Sequence, residues 1–304
     1  MYKFSEYYIR PEPLYLMNSL LKSIFIVLFP AFAVFAMIDS FWYVLNTGIT
    51  LLHITHLLTA ASIVFFFSRI YIKPIPRTDS VLKPYTFSIF LGCLLASLAL
   101  SLEEGVVFRL SCTIFNIILT LGWIIYLVWY SYFQKRNPDH NDILKVGKTL
   151  PLLTFENSKK EIVTTERFAG TPSIFMFYRG NWCPFCMAQI KEIINQHEEL
   201  TKRNINTIFI SSQPHGFSKK LAKKYPLDFQ FLVDINCNVA KQLNIFTEYG
   251  LPFGFQIFGF KSDMILPTVV ITDSNEKIIY TNETDQYRSR PEPSILLKII
   301  DENV

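Results

Sequence analysis

Four runs free of Asp, Glu, Lys and Arg crowd into the first 136 positions of this chain, and they limit what that half can fold into. The runs are residues 23–38, 40–68, 84–102 and 110–134. Crossing the hydrocarbon core of a bilayer takes about 20 residues of helix, because every backbone polar group must be satisfied inside the segment. The last three runs are long enough as they stand. The first reaches that length with Leu14, Leu16, Leu20 and Leu21 ahead of it and Lys22 snorkelling out. The expectation is an N-terminal α-helical transmembrane bundle of about four spans in residues 1–136. The spans are placed near 16–38, 44–68, 84–102 and 109–133. Half of all residues are hydrophobic, and the excess lies in this segment.

Orientation follows from the basic residues. With four spans, Lys3, Arg10, Lys22, Arg69, Lys73, Arg77, Lys83, Lys135 and Arg136 fall on one side, and Arg109 alone falls on the other beside Glu103 and Glu104. This asymmetry predicts an integral protein of a bacterial inner membrane, with both termini and the C-terminal domain cytoplasmic. The N-terminus lacks a short apolar core followed by small residues, so no removable signal peptide is expected.

Residues 1–136 hold ten Lys/Arg against six Asp/Glu, which accounts for the net charge of +4. The remainder is balanced at nineteen of each and offers no basic stripe, so nucleic acid is not an expected partner. Five cysteines with one close pair do not make a secreted disulfide framework.

Some membrane-half residues carry a functional and a plain reading. His53 and His56 stand one helical turn apart; they suit a haem or quinone contact, or a polar pair packed inside the bundle. The absence of partner histidines in the other runs favours packing. Cys93 and Cys112 lie in adjacent spans about four residues out of level, roughly 6 Å at helical rise, and read as small core hydrophobes. The membrane half is expected to serve mainly as an anchor.

Residues 137–149 read as a polar linker, and residues 150–304 alternate strand and helix patterns. Leu152 to Phe155 pairs with Ile162 to Thr165 across a turn-rich loop. The apolar run Ser173 to Tyr178 is a strand, and Asn206 to Ile210 another, with a helix between; that spacing implies parallel neighbours. A Lys-rich helix near 216–225, a strand at 229–233 and a short helix after Cys237 follow. Pro267 to Thr272 pairs with Lys277 to Tyr280, and a last helix starts after Pro293.

The chemistry is concentrated in Phe177-Tyr178-Arg179-Gly180-Asn181-Trp182-Cys183-Pro184-Phe185-Cys186, at the junction of a strand and a helix. A thiolate at a helix N-terminus is stabilised by the dipole and by unpaired N–H groups. A second thiol one turn on can resolve a mixed disulfide, making the pair a reversible two-electron couple. Zinc would need a second ligand pair, and Cys237, His140, His197 and His215 do not have metal spacing. No metal or other cofactor is expected beyond the cysteine pair. Cys237 reads either as a distal resolving thiol or as a turn residue. Residues 244–266, rich in Phe and Tyr, read either as a loop packed on its own domain or as a lid or docking face toward the spans or a second subunit.

The Trp182-Cys183-Pro184-Phe185-Cys186 stretch after a strand resembles the thioredoxin superfamily. The longer string from Phe177 resembles the peroxiredoxin-like branch of the alkyl hydroperoxide reductase/thiol-specific antioxidant family. The resemblance continues through Leu232-Val233-Asp234, Val239-Ala240-Lys241 and Leu266-Pro267-Thr268, and ends at Asp285 to Pro293. It covers about residues 145–302 and implies an α/β thioredoxin-like domain. In the thioredoxin reading Cys183 is the nucleophile and Cys186 the resolver. Trp182 and Arg179 then flank a substrate groove that Pro267, as a cis-proline, and Thr268 complete. The implied activity is thiol–disulfide exchange on a protein disulfide, recycled by a thioredoxin-type reductant.

Two alternatives remain: a thiol peroxidase acting on hydroperoxides, and a redox sensor coupled to the membrane spans. Peroxiredoxins proper place a proline, a Thr or Ser and a cysteine in one turn, with an arginine on a later strand. Those places are taken here by Arg179, Cys183, Cys186 and Pro267. The departures favour disulfide exchange.

Overall fold

The computed structural model describes residues 13–99, 106–132 and 141–303. The turn expected at Glu103-Glu104-Gly105, the basic residues Lys3, Arg10, Lys135 and Arg136, and residues 137–140 of the linker with His140 lie outside them. The Arg109 side chain is likewise not described.

The N-terminal half is a helical bundle. Helix α1 (Pro13–Thr47) runs through Pro30, α2 is Leu51–Ile72, α3 is Lys83–Ala99, and α4 (Val106–Ile125) continues into a π-helical turn at Tyr126–Tyr130. Three of these helices, not four, are long and apolar enough to cross a membrane. The third expected span is described as a 17-residue helix, Lys83–Ala99, beyond which the chain leaves the described residues. The boundary between the first two also moves: residues 44–47 belong to α1, and α2 begins at Leu51, capped by the Thr50 hydroxyl accepting from the His53 N–H. Apolar side chains stud the outer face, among them Leu28, Phe35, Phe65, Phe87, Leu94 and Val128. His53 and His56 point inward as buried side chains, and His56 stacks on Phe115.

The C-terminal half is a seven-stranded sheet in the order β2-β1-β5-β4-β3-β8-β9 with helices on its faces. Its elements are β1 (Thr154–Glu156), β2 (Ile162–Thr164), β3 (Ser173–Phe177), α5 (Pro184–Ile194), α6 (His197–Lys202), β4 (Asn206–Ser211), α7 (His215–Lys224), β5 (Gln230–Val233) and α8 (Asn238–Gln242). They are followed by a small separate ribbon, β6 (Phe246–Thr247) with β7 (Met264–Ile265), and then β8 (Thr268–Thr272), β9 (Ile278–Glu283) and α9 (Pro293–Asn303). Strands β3, β4 and β5 are parallel neighbours, and β8 runs antiparallel beside β3. The near-continuous apolar run at 173–178 is explained by burial on both sheet faces. Phe175 and Phe177 join one core cluster, while Ile174 and Met176 join the other.

Residues 141–149, expected as linker, are docked on this domain. Leu144 is buried, the Gly147 N–H donates to Ile278 O at 2.8 Å, and Thr149 bridges to Lys277. His197, expected on the same helix as Met187, opens a separate helix after a break at Asn195–Gln196.

The two halves share one core. A single buried cluster runs from Phe66, Phe67, Trp123 and Tyr126 of the bundle to Tyr287, Phe185 and Ile190 of the sheet domain. Segment 285–292 is the clasp. Arg288, fully buried, donates to Ser131 Oγ, Thr78 Oγ1, Asp79 O and Ser80 O at 2.8–3.2 Å. Arg77 from the α2–α3 loop makes a two-pronged ion pair with Glu192 on α5. The aromatic segment 244–266 also docks on α1: the Tyr15 hydroxyl donates to Thr247 Oγ1, and the Phe253 N–H donates to Ser23 O at 3.1 Å.

Candidate active site

Strand β3 ends at Phe177, and the chain turns through Arg179 to Trp182 before α5 begins. Cys183 is the N-cap of α5, Pro184 its first residue, and Cys186 lies in its first turn. Proline suits that position because its missing N–H would be unpaired anyway. Gln213 holds the turn: its Oε1 accepts from the Asn181 N–H at 2.9 Å, while its Nε2 donates to the Tyr178 hydroxyl and to Ser218 Oγ.

Both thiols are buried, with Cys183 1% and Cys186 0% exposed. The cover comes in part from the helical bundle: Tyr130, at the end of the α4 continuation, packs with Tyr287 in the buried cluster that holds the pair. Two arginines stand in the same pocket. The Arg179 guanidinium lies 4.5 Å from the Trp182 ring and donates to Gly250 O at 3.1 Å. Arg290 lies buried against Cys186, and its charge interacts with both thiols.

This environment splits the thiols. Burial alone would raise Cys186, but the hydrogen bond from the Cys183 thiol, the Arg290 charge, a backbone hydrogen bond at Arg179 and the Arg179 charge outweigh it. They bring Cys186 down to about 6. Cys183 is pushed well above its usual value, first by burial and then by giving its proton to the Cys186 hydrogen bond. The thiolate of the reduced pair therefore sits on Cys186. A pH titration followed by thiolate absorbance near 240 nm should show a step near pH 6, with the signal falling as pH drops through it. Cys186→Ser should remove the step, and Arg290→Met should move it up by roughly a unit or more by deleting a cation.

Of the other expected residues, Trp182 packs under Arg179 and against Phe255 at 5.8 Å. Pro267 and Thr268 are buried at the start of β8, with Thr268 paired to Phe177. The cis-proline expected at Pro267 is not found, since no peptide bond among the described residues is cis. The chain reaches Pro267 from the β6–β7 ribbon, where the Leu266 N–H donates to Ile245 O at 2.7 Å. Cys237 is remote from the pair in the fold; it lines a separate cleft of about 600 Å³ with Lys241, Lys261 and Asp263, and burial pushes its thiol up to about 12.

Residues 146–281 match the AhpC/TSA family. This half of the chain is a peroxiredoxin-like domain of the thioredoxin superfamily. Its fold is similar to those of the peroxidoxin BcpB from Mycobacterium tuberculosis (15% identity, covering 53% of this chain and 99% of that one, TM-score 0.44) and AhpC from Enterococcus faecalis (18%, 52% and 91%, 0.42). It is also similar to that of a thiol peroxidase from Chromobacterium violaceum (14%, 52% and 87%, 0.42). No curated protein matches the chain.

Within the peroxiredoxin-like domain, the most informative residue that sequence reasoning missed is Arg290. The resemblance implies an arginine on a later strand, and its place is taken by Pro267. Arg290 brings a guanidinium to the cysteines from the C-terminal segment instead, beyond the 146–281 match. The available signal was alternation in Tyr287-Arg288-Ser289-Arg290, where Arg288 grips the bundle and Arg290 faces the thiols.

Proposed function

We propose that this thiol-dependent oxidoreductase is a membrane-anchored thiol peroxidase, with Cys186 as the attacking thiolate and Cys183 as the resolving thiol. The observation that carries the reading is the pairing of a covered, low-pKa Cys186 with the buried Arg290 guanidinium lying against it. A protein disulfide needs an open groove to reach a sulfur, whereas a hydroperoxide needs only a small polar pocket with fixed donors. The expected preference for disulfide exchange from Cys183 is thus set aside in favour of the peroxidase alternative.

The Cys186 thiolate attacks the distal oxygen of the hydroperoxide, the O–O bond breaks, and the leaving alkoxide takes a proton from water. Cys186 becomes a sulfenic acid, and the substrate becomes an alcohol or water. The Cys183 thiol then displaces hydroxide, forming the Cys183–Cys186 disulfide and releasing water. A thioredoxin-type dithiol returns two electrons by exchange. Oxidation removes the Cys186 charge that holds Arg290 and Arg179, so the oxidised site is the one expected to open to that reductant.

The membrane part of the reading is supported by three long apolar helices, by the apolar outer face of the bundle, and by the basic α2–α3 loop, whose Arg77 pairs with Glu192 of the peroxiredoxin-like domain. The domain is then cytoplasmic and the bundle anchors it in the bilayer. Turnover of the full chain in detergent, with a thioredoxin-type reductant, on hydrogen peroxide and on a protein disulfide tests the assignment. Faster peroxide reduction by at least about tenfold in kcat/KM is the expected result. Faster disulfide reduction would overturn it.

A further inference from the structure

The β6–β7 ribbon is joined by Pro252-Phe253-Gly254-Phe255-Gln256-Ile257-Phe258-Gly259-Phe260, and three of these apolar side chains face outward. Ile257 is 81% exposed, Phe258 59% and Phe253 57%. Three large apolar side chains on one short loop form a patch that a water-facing surface rarely keeps. The loop is tied down beside them, since Phe260 stacks on Phe217 at 4.9 Å and Phe255 packs on Trp182.

What covers this patch is indicated by its tether. The Phe253 N–H donates to Ser23 O, and Ser23 Oγ donates to Leu251 O, so the loop lies against α1 at residue 23. The adjacent Lys22 rests over the Trp129 ring and donates to Tyr132 O at 2.6 Å. Lysine, tryptophan and tyrosine at one level are the residues that mark the boundary between lipid tails and headgroups. The exposed side chains are thus continuous with the apolar outer face of the bundle at the depth where an interfacial element would enter.

Between α1 and the β6–β7 ribbon that carries the loop lies a cavity of about 40 Å³, lined by Ser19, Ser23, Tyr130, Arg179, Gly250 and Tyr287. It connects the α1–loop seam with the arginine beside the thiols. Its volume suits one or two water-sized groups, not a substrate chain, so a larger substrate needs the seam between α1 and the ribbon to part. Gly254 and Gly259, with φ of 89° and 86°, bracket the single turn Phe255–Phe258 in conformations that side chains rarely adopt.

We propose that the 252–260 loop is an arm inserted in the lipid layer beside α1, through which a hydroperoxide dissolved in the bilayer reaches Cys186. The proposal rests on the membrane-anchored peroxidase reading. It adds to that reading a lipid-contacting surface and a direction of substrate entry.

The test uses the full chain in phospholipid vesicles, with a nitroxide label at Ile257→Cys and the signal of the unsubstituted chain subtracted. Relaxation by oxygen should exceed relaxation by a water-soluble nickel chelate, as for a site below the headgroups. Dominance of the chelate would overturn the proposal, and so would strong broadening between labels, which would place a second copy of the chain on the patch. This readout stands whether or not any peroxide is reduced. A second variant, Phe253→Ser/Ile257→Ser/Phe258→Ser, should lose about tenfold in the ratio of rates on a bilayer-borne hydroperoxide and on hydrogen peroxide. An unchanged ratio would overturn the entry route. If neither peroxide is reduced by the unsubstituted chain, the peroxidase reading fails, and with it substrate entry, while label depth still decides the arm.

Discussion

Replacing Cys186 by serine is expected to lower peroxide turnover by on the order of 10⁴-fold, because it removes the only thiolate the pocket stabilises at neutral pH. Replacing Cys183 should have a different outcome. Its thiol is held protonated, so its loss leaves attack on peroxide intact but leaves the sulfenic acid unresolved. A rapid-mixing experiment should then show one equivalent of peroxide consumed per Cys183→Ser chain and none per Cys186→Ser chain. A dimedone-type probe should trap the sulfenic acid only in the former. If the burst survives in Cys186→Ser and disappears in Cys183→Ser, the roles are reversed and the thioredoxin-like assignment stands.

The second large effect is expected at Arg288, far from any bond that is made or broken. Its guanidinium lies buried against Tyr126 and holds four acceptors contributed by the α2–α3 loop and the end of α4. Hydrogen bonds to a charged donor contribute about 1.5–3 kcal/mol each, and a buried acceptor left without a partner costs its desolvation. Part of that cost is relieved where water can follow, so Arg288→Met should weaken the contact between bundle and sheet domain by about 3–5 kcal/mol. The bundle is what covers the cysteines, so the opened population should rise by about 10²-fold or more. Alkylation of Cys186 by a small reagent should accelerate by the same factor. Arg288→Lys, which keeps the charge but loses the planar fork, should recover only part of it. An alkylation rate unchanged from that of the parent chain would mean that the clasp does not control access.

Much of this protein is determined by local pattern. Charge-free runs marked the apolar helices, since burial of a helix in an apolar medium demands composition and little else. Most strands and helices of the second half followed from period and turn residues, though not the β6–β7 ribbon or the break before α6: Phe155 pairs with Val163 as the hairpin pattern implies, and Ser173–Phe177 is buried on both faces as its unbroken apolar run implies. The position of Cys183 and Cys186 at a helix start was legible for the same reason. Three things were decided only by tertiary structure. Helix lengths changed where a short segment, Gly48–Thr50, breaks α1 from α2, a boundary that composition does not mark because both sides are apolar. Which thiol carries the charge depends on the hydrogen bond from Cys183 to Cys186 and on Arg290, brought in from more than a hundred residues away, and electrostatics at a few ångströms are invisible to spacing along the chain. The cover over the pair was also decided at a distance, because Tyr130 and Tyr287 come from separate segments. Local sequence sets what each segment can be, while the reactivity of the pair depends on contacts that only the packed chain brings together.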